Sequence, residues 1–190
     1  MELGRHATDR VVLVTGAARG LGRAMTLGLL GAGRRVVAFD LPQSAAELAD
    51  LAAEAKSSGA SDRILTVGGD VRSQLDCNRA IDAAIDRFGA LHAVVNCAAL
   101  GQDFDMRGDG KPGTGKFYEV PLERWEATID INISGPFRMT KAAVPHLITQ
   151  HWGRVVNIVT SYTTMLKYTP YGASKAMLEA ATVVWANDLE

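Results

Sequence analysis

The sequence predicts an α/β protein built on a doubly wound parallel sheet. Short apolar runs recur along the chain, they are continuous rather than alternating, and segments with helical spacing lie between them. Continuous runs suit strands covered on both faces. Strand alternating with helix implies parallel strands, right-handed crossovers and three layers in the order α/β/α.

The first run, Val11-Val12-Leu13-Val14, reads as a short buried strand, and Leu21, Ala24, Met25, Gly28, Leu29 and Ala32 follow it at helical spacing. The next strands are Val36-Val37-Ala38-Phe39, Ile64-Leu65-Thr66-Val67, Ala93-Val94-Val95 and Val155-Val156-Asn157-Ile158-Val159. Residues 43–57 form an Ala/Glu-rich helix, and residues 73–88 form one that gathers Cys77, Ile81, Ala84, Ile85 and Phe88 on a single face. A long helix over about 122–150 is expected to break near Pro136 or Pro145, and residues 171–189 make a last helix. Gly101 to Tyr118 has no apolar period and reads as a surface loop after a strand's C-terminal end. Asp103 and Asp105 give it a faint likeness to a calcium loop. Arg107 and Thr114 stand where ligands belong, so no metal is expected. No repeat, linker or low-complexity tract divides the chain, and residues 1–190 are expected to form one domain.

Between the first strand and the first helix lies Thr15-Gly16-Ala17-Ala18-Arg19-Gly20-Leu21-Gly22. Glycines let the backbone turn tightly and approach a ligand, and the N–H groups of a helix start face negative charge. Strand, glycine turn and helix together make a site for a diphosphate. The turn lacks the Gly-Lys-Ser/Thr ending of a nucleoside-triphosphate loop, which disfavours ATP and GTP. Asp40 ends the second strand, followed by Leu41. An acidic group there accepts hydrogen bonds from adenosine ribose hydroxyls and repels a 2′-phosphate. Arg19, Arg34 and Arg35 are the groups that would neutralise such a phosphate, unless they are simply solvated. The acidic position favours NAD over NADP.

Composition restricts the alternatives. Hydrophobic residues make up 47% and charged residues 22%, ordinary for a soluble domain. The formal net charge of −1 leaves no electrostatic footprint for nucleic acid. The first residues, Met1 to His6, hold no apolar signal core, and no run is long enough to span a bilayer. Cys77 and Cys97 do not make a disulfide framework, so a reduced, cytoplasmic setting is expected.

Near the end stands Tyr171-Gly172-Ala173-Ser174-Lys175. Tyrosine and lysine at this spacing share a helix face, and the lysine charge favours the tyrosinate, which suits proton transfer near neutral pH. Together with the glycine turn, this pair resembles the short-chain dehydrogenase/reductase family over about residues 8–190. The resemblance implies a Rossmann-type NAD(P)-binding domain. It implies cofactor contacts from Gly16, Arg19, Gly20, Leu21, Gly22, Asp40 and Leu41. It implies more from Asp70 and Val71 beside the adenine, from Asn96 and Ala98 after the fourth strand, and from Tyr171 and Lys175. Asn96-Cys97-Ala98-Ala99 is similar to the family's Asn-Ala-Ala-Gly turn but differs at Cys97 and Ala99, and Ala99 in place of glycine raises the prospect of local strain.

The resemblance further implies a catalytic set of Asn132, a serine, Tyr171 and Lys175. Counting from Asn157 puts Thr160 in the serine's place, while residue type puts Ser161 there. Ser161 is the choice here, with a turn serine bonded to its own backbone as the alternative. Asn132 either holds a water near Lys175 or is a helix-bend residue bonded to backbone. The implied reaction is hydride transfer between nicotinamide and a secondary alcohol or ketone, with Tyr171 as general acid/base. Tyr162, Met165, Leu166 and Tyr168 either line the substrate pocket or anchor the loop. A homo-oligomer, dimer or tetramer, is implied through the helices about 122–150 and 171–189. Ala176, Ala180, Val183 and Val184 suit either that interface or packing on the chain's own sheet. Family members usually continue through two further strands with a lid between them. The sequence is therefore either a piece of a longer chain or a truncated member lacking those strands. A non-catalytic NAD-binding or interaction protein is the second reading, and an isomerase or dehydratase on the same fold is the third.

Overall fold

A computed structural model describes residues 10–101, 116–166 and 169–189 of the chain. Asp103, Asp105, Arg107, Thr114 and Tyr168 lie outside the described residues. The chain divides into two compact units, one made of Met1–Ala98 with Arg138–Val156, the other of Ala99–Phe137 with Asn157–Glu190.

The first unit carries most of the sheet. Its strands are β1 (Val11–Thr15), β2 (Arg35–Asp40), β3 (Ile64–Gly68) and β4 (Ala93–Asn96), and β5 (Arg154–Asn157) closes the order β3-β2-β1-β4-β5. The pairing is parallel, with Leu13 beside Val37 on one side and Val94 on the other. Central position explains burial: β1 is buried along its whole length, whereas β5, an edge strand among the described residues, alternates between exposed and half-buried. Val156 is accordingly exposed, although its run reads as a fully covered strand. The strand stops at Asn157, and the next carbonyl, that of Ile158, accepts a hydrogen bond from Lys175 Nζ.

The helices packed in this unit follow from their sequence. Helix α1 (Gly20–Gly31) begins where the glycine turn ends. A 3-10 turn at Pro42–Ser44 leads into α2 (Ala45–Ser57), which buries Leu48, Leu51 and Ala55. Ser73 caps α3 (Gln74–Phe88) by accepting a hydrogen bond from Asp76 N, and Gly89 ends it in the left-handed conformation. Cys77, Ala80, Ile81 and Ala84 form its buried face, while Ile85 and Phe88 are only partly covered. Together with Phe39, Val94 and Leu91 these side chains make the core, each large apolar one contributing roughly 1.5–3 kcal/mol by leaving water.

The expected long helix is three pieces: α4 (Leu122–Ile129), a π-helical segment (Asp130–Ser134) and α5 (Gly135–Thr149). The break lies just before Pro136, which has no N–H to give to the carbonyl four residues back, that of Asn132. Pro145 stands inside α5. Two further elements follow, a single turn α6 (Tyr162–Met165) and α7 (Tyr171–Asn187). No helix among the described residues is long and apolar enough to cross a membrane.

Candidate active site

In the first unit, the glycine turn is built by close approach. Gly16 has φ +69°, and a Cβ there would lie 2.8 Å from Ala98 Cα and 2.9 Å from Ala98 N. At Gly22 a Cβ would fall 2.1 Å from the Gly16 carbonyl oxygen. Only residues without side chains let β1's turn pass the Asn96–Ala99 turn and fold back on the helix start. Gly20, at φ +54°, faces open space. Thr15 joins the two turns: its Oγ1 accepts hydrogen bonds from Cys97 N and Ala98 N, each at 3.0 Å. Ala99, which replaces a glycine of the family turn, is free of left-handed strain, since His151 is the non-glycine residue with positive φ among the described residues.

Asp40 reaches back from the end of β2. Its Oδ2 accepts from Ala18 N at 2.8 Å, and its Oδ1 accepts from Leu41 N at 2.8 Å. Arg19 occupies the N-cap position of α1 and is exposed, as are Leu21 and Leu41. No acidic side chain stands in the first turn of α1, whose leading N–H groups have no acceptor within the helix. Open space at Gly20 and helix-start N–H groups that have no acceptor within the helix fit an anionic diphosphate.

Asp70 and Val71 follow β3. The Arg72 guanidinium grips the Asp70 carboxylate, with Nη2 at 2.6 Å and Nε at 2.9 Å from Oδ2, and holds its pKa below the usual carboxylate value. Asp76 accepts from Asp70 N at 3.0 Å. Val71 is buried, and so is Asn96, whose Nδ2 donates to Thr140 Oγ1 at 3.2 Å.

The second unit gathers Asn132, Tyr171 and Lys175. Tyr171 opens α7 and Lys175 follows one turn later. Lys175 is 2% exposed, and its Nζ lies 5.8 Å from the Tyr171 ring centroid and donates to Ile158 O at 2.6 Å. Asn132 is fully buried in the π-helical segment. Its Oδ1 accepts from Leu100 N at 2.8 Å, and its Nδ2 donates to Leu100 O at 3.1 Å and to Ser174 Oγ at 3.0 Å. Ser174 in turn donates to the main-chain carbonyl of Tyr171 at 2.6 Å. The Asn132 side chain thus bonds backbone at a helix bend and also tethers the turn that carries the tyrosine.

Ser161 takes the place of a capping residue. It precedes α6, its Oγ accepts from Thr164 N at 3.3 Å, and it lies 3.1 Å from Thr164 Oγ1. It is exposed, and Thr160 is half-buried. Tyr162 and Leu166 are exposed rather than packed as anchors, and Met165 is half-buried, with its carbonyl against Gly172, where a Cβ would fall 2.1 Å away. Ala176, Ala180, Val183 and Val184 are exposed.

Sequence reasoning assigned no role to Thr15, Ser174 or Arg72. Thr15 and Ser174 stand inside the two motifs themselves, and their hydroxyls among neighbouring Gly and Ala residues were the available signal. Arg72 carried none, because its partner lies only two positions away in a loop.

Comparison with known proteins identifies the family and the fold. The sequence model of the family described as short chain dehydrogenase matches residues 10–190. The 2-(R)-hydroxypropyl-CoM dehydrogenase of Xanthobacter autotrophicus is 33% identical over 152 residues, 80% of this chain and 56% of that protein. A 3-oxoacyl-[acyl-carrier-protein] reductase of Synechocystis is 31% identical over 185 residues, 96% of this chain and 69% of that protein. Among solved structures, a glucose/ribitol dehydrogenase of the short-chain dehydrogenase/reductase class from Brucella melitensis matches with a TM-score of 0.79 at 27% identity, covering 95% of this chain and 70% of its own. A short chain dehydrogenase/reductase from Burkholderia phymatum, solved in complex with NAD, shares the fold with a TM-score of 0.80 at 24% identity, covering 94% of this chain and 59% of its own. The chain belongs to the short-chain dehydrogenase/reductase family. It spans little more than half the length of several curated relatives, 53–57% of three of them.

Proposed function

We propose that this chain is the cofactor-binding and catalytic part of an NAD(P)-dependent oxidoreductase acting on a secondary alcohol or ketone. The observation that carries the reading is the buried Lys175, with its ammonium 5.8 Å from the centre of the Tyr171 ring at the start of α7. A cation held there stabilises a developing phenolate and so equips Tyr171 as general acid/base.

The nicotinamide cofactor, when bound, supplies the hydride chemistry. Gly16, Gly20 and Gly22 cradle its diphosphate, with Arg19 and Leu21 at the helix start. Asp40 and Leu41 meet the adenosine ribose, and Asp70, Val71, Asn96 and Ala98 complete the contacts. Asp40 supports NAD over NADP, because its carboxylate repels a 2′-phosphate. In the oxidative direction Tyr171 takes the hydroxyl proton, Lys175 holds the charge balance and the nicotinamide ribose, and Ser161 donates to the substrate oxygen where negative charge develops. Ser161 must then give up its bond to Thr164, whereas Thr160 stands beside it as the competing hydroxyl. Asn132 holds the first turn of α7 through Ser174. The protein works in the cytoplasm as one domain over residues 1–190, assembled as a homo-oligomer through the exposed face that carries Val183 and Val184.

The test is Tyr171→Phe, measured with a panel of secondary alcohols and NAD. Turnover falls by at least a hundredfold while NADH affinity, read by fluorescence, stays within about twofold. Unchanged turnover would overturn the assignment.

A further inference from the structure

We infer that Asp40 is the clasp of the glycine turn as well as the group that faces the ribose, so that cofactor choice and turn geometry are carried by one carboxylate. The inference rests on the proposed reading of Asp40 as the ribose contact and adds a second duty to it.

The geometry is specific. Ala18 lies in the middle of the turn, outside any strand ladder, and its N–H points at Asp40 Oδ2 at 2.8 Å. The other oxygen, Oδ1, accepts from Leu41 N at 2.8 Å. The carboxylate therefore bridges the main chain of the turn and the main chain that leaves β2. An ionised carboxylate has about four acceptor positions. Two serve these N–H groups, which leaves room for the two ribose hydroxyls of NAD. The neighbouring Ala17 N donates to Phe39 O at 3.2 Å, so the turn is moored to the end of β2 at two successive residues.

Removing the charge at position 40 is the obvious route to admitting a 2′-phosphate. Here the same change releases the turn. Asparagine has one oxygen acceptor and an amide that only donates, so either Ala18 N or Leu41 N would face a donor. Alanine leaves both without a partner. Losing NAD at this position is therefore not expected to gain NADP.

The experiment measures amide hydrogen exchange by NMR together with NADH and NADPH titrations, on the wild-type chain, Asp40→Asn and Asp40→Ala. In the wild type the Ala18 amide is protected, and exchange at the unprotected rate overturns the clasp without recourse to any variant. In both variants Ala18 exchange accelerates at least tenfold while the Leu13 amide in β1 keeps its protection, which also reports that the unit is folded. NADH affinity falls at least tenfold and NADPH affinity does not rise. A variant that gains NADPH affinity while Ala18 keeps its wild-type protection overturns the inference. If the wild type binds neither dinucleotide, the cofactor reading fails, and Ala18 exchange still decides whether Asp40 holds the turn.

Discussion

Asn132 Nδ2 lies 3.0 Å from Ser174 Oγ, and both side chains are fully buried. The contact joins the π-helical segment to the first turn of α7, because Ser174 Oγ donates its own hydrogen bond to the main-chain carbonyl of Tyr171. Ser174→Ala removes that link. Asn132 Nδ2 keeps Leu100 O, so the cost is one buried hydrogen-bonded hydroxyl rather than a stranded amide. The expected loss is about 1–2 kcal/mol, read as a lower urea midpoint with an unchanged slope. Turnover should fall more than KM rises, because the hydroxyl acts through Tyr171. A variant as stable and as active as the wild type would refute the link.

The two halves of the glycine turn make opposite demands. Gly22→Ala puts a methyl group 2.1 Å from the Gly16 carbonyl oxygen, which main-chain atoms cannot yield to without opening the turn. NADH binding should be lost at every accessible concentration. Gly20→Ala meets no atom within 4 Å and pays only for its φ of +54°, about 1–2 kcal/mol. It should stay folded with a modestly lower melting temperature. The pair of urea curves and NADH titrations separates close contact from backbone strain. Equal effects at both positions would contradict the geometry.

Thr26 presents a cost rather than a support. It is fully buried on α1, and its hydroxyl has no hydrogen-bond partner among the described residues. Replacing the hydroxyl by a methyl of similar size relieves that desolvation. Thr26→Val is expected to raise stability by about 1 kcal/mol. Destabilisation in urea would mean that the hydroxyl finds an acceptor in solution.

How much of this was legible beforehand differs from residue to residue. Strands β1 to β4 could be read because each is a run rich in adjacent apolar residues, although only the inner strands bury theirs and β3, at the sheet edge, buries Ile64 alone. Tyr171 and Lys175 could be read because helical spacing alone sets one above the other. The bend at Asp130–Ser134 was half visible: Pro136 marks it, but the π-helical form arises from how the chain accommodates the missing N–H. Ser161 illustrates what was hidden. A four-residue helix in Tyr162–Met165 has no period to detect, so a capping serine and a catalytic one look alike. The Asp40 clasp and the Thr15 hydroxyl were hidden for another reason. Each depends on where a main-chain N–H points, and residue type does not encode that direction.

His92 makes the acid side of the stability curve predictable. Its Nδ1 accepts from Val11 N at 3.0 Å, which requires an unprotonated nitrogen. Burial first, and then the charges of Arg10 and Arg35, push its pKa below the ordinary value of 6.5. Trp152 packs near the ring at 6.1 Å, with the Arg10 guanidinium 3.6 Å and that of Arg154 4.9 Å from the indole centre, so the neighbourhood is already cationic. The unfolded chain therefore binds this proton more readily than the folded one. Stability is fully present above the unfolded value near 6.5, falls as the pH drops below it, and levels off once the pH passes under the lowered folded value. His92→Asn supplies an oxygen acceptor for Val11 N and no titrating group. Urea midpoints measured from pH 7.5 down to pH 5 should decline for the wild type and decline less for His92→Asn. Parallel curves would show that His92 is not the group responsible.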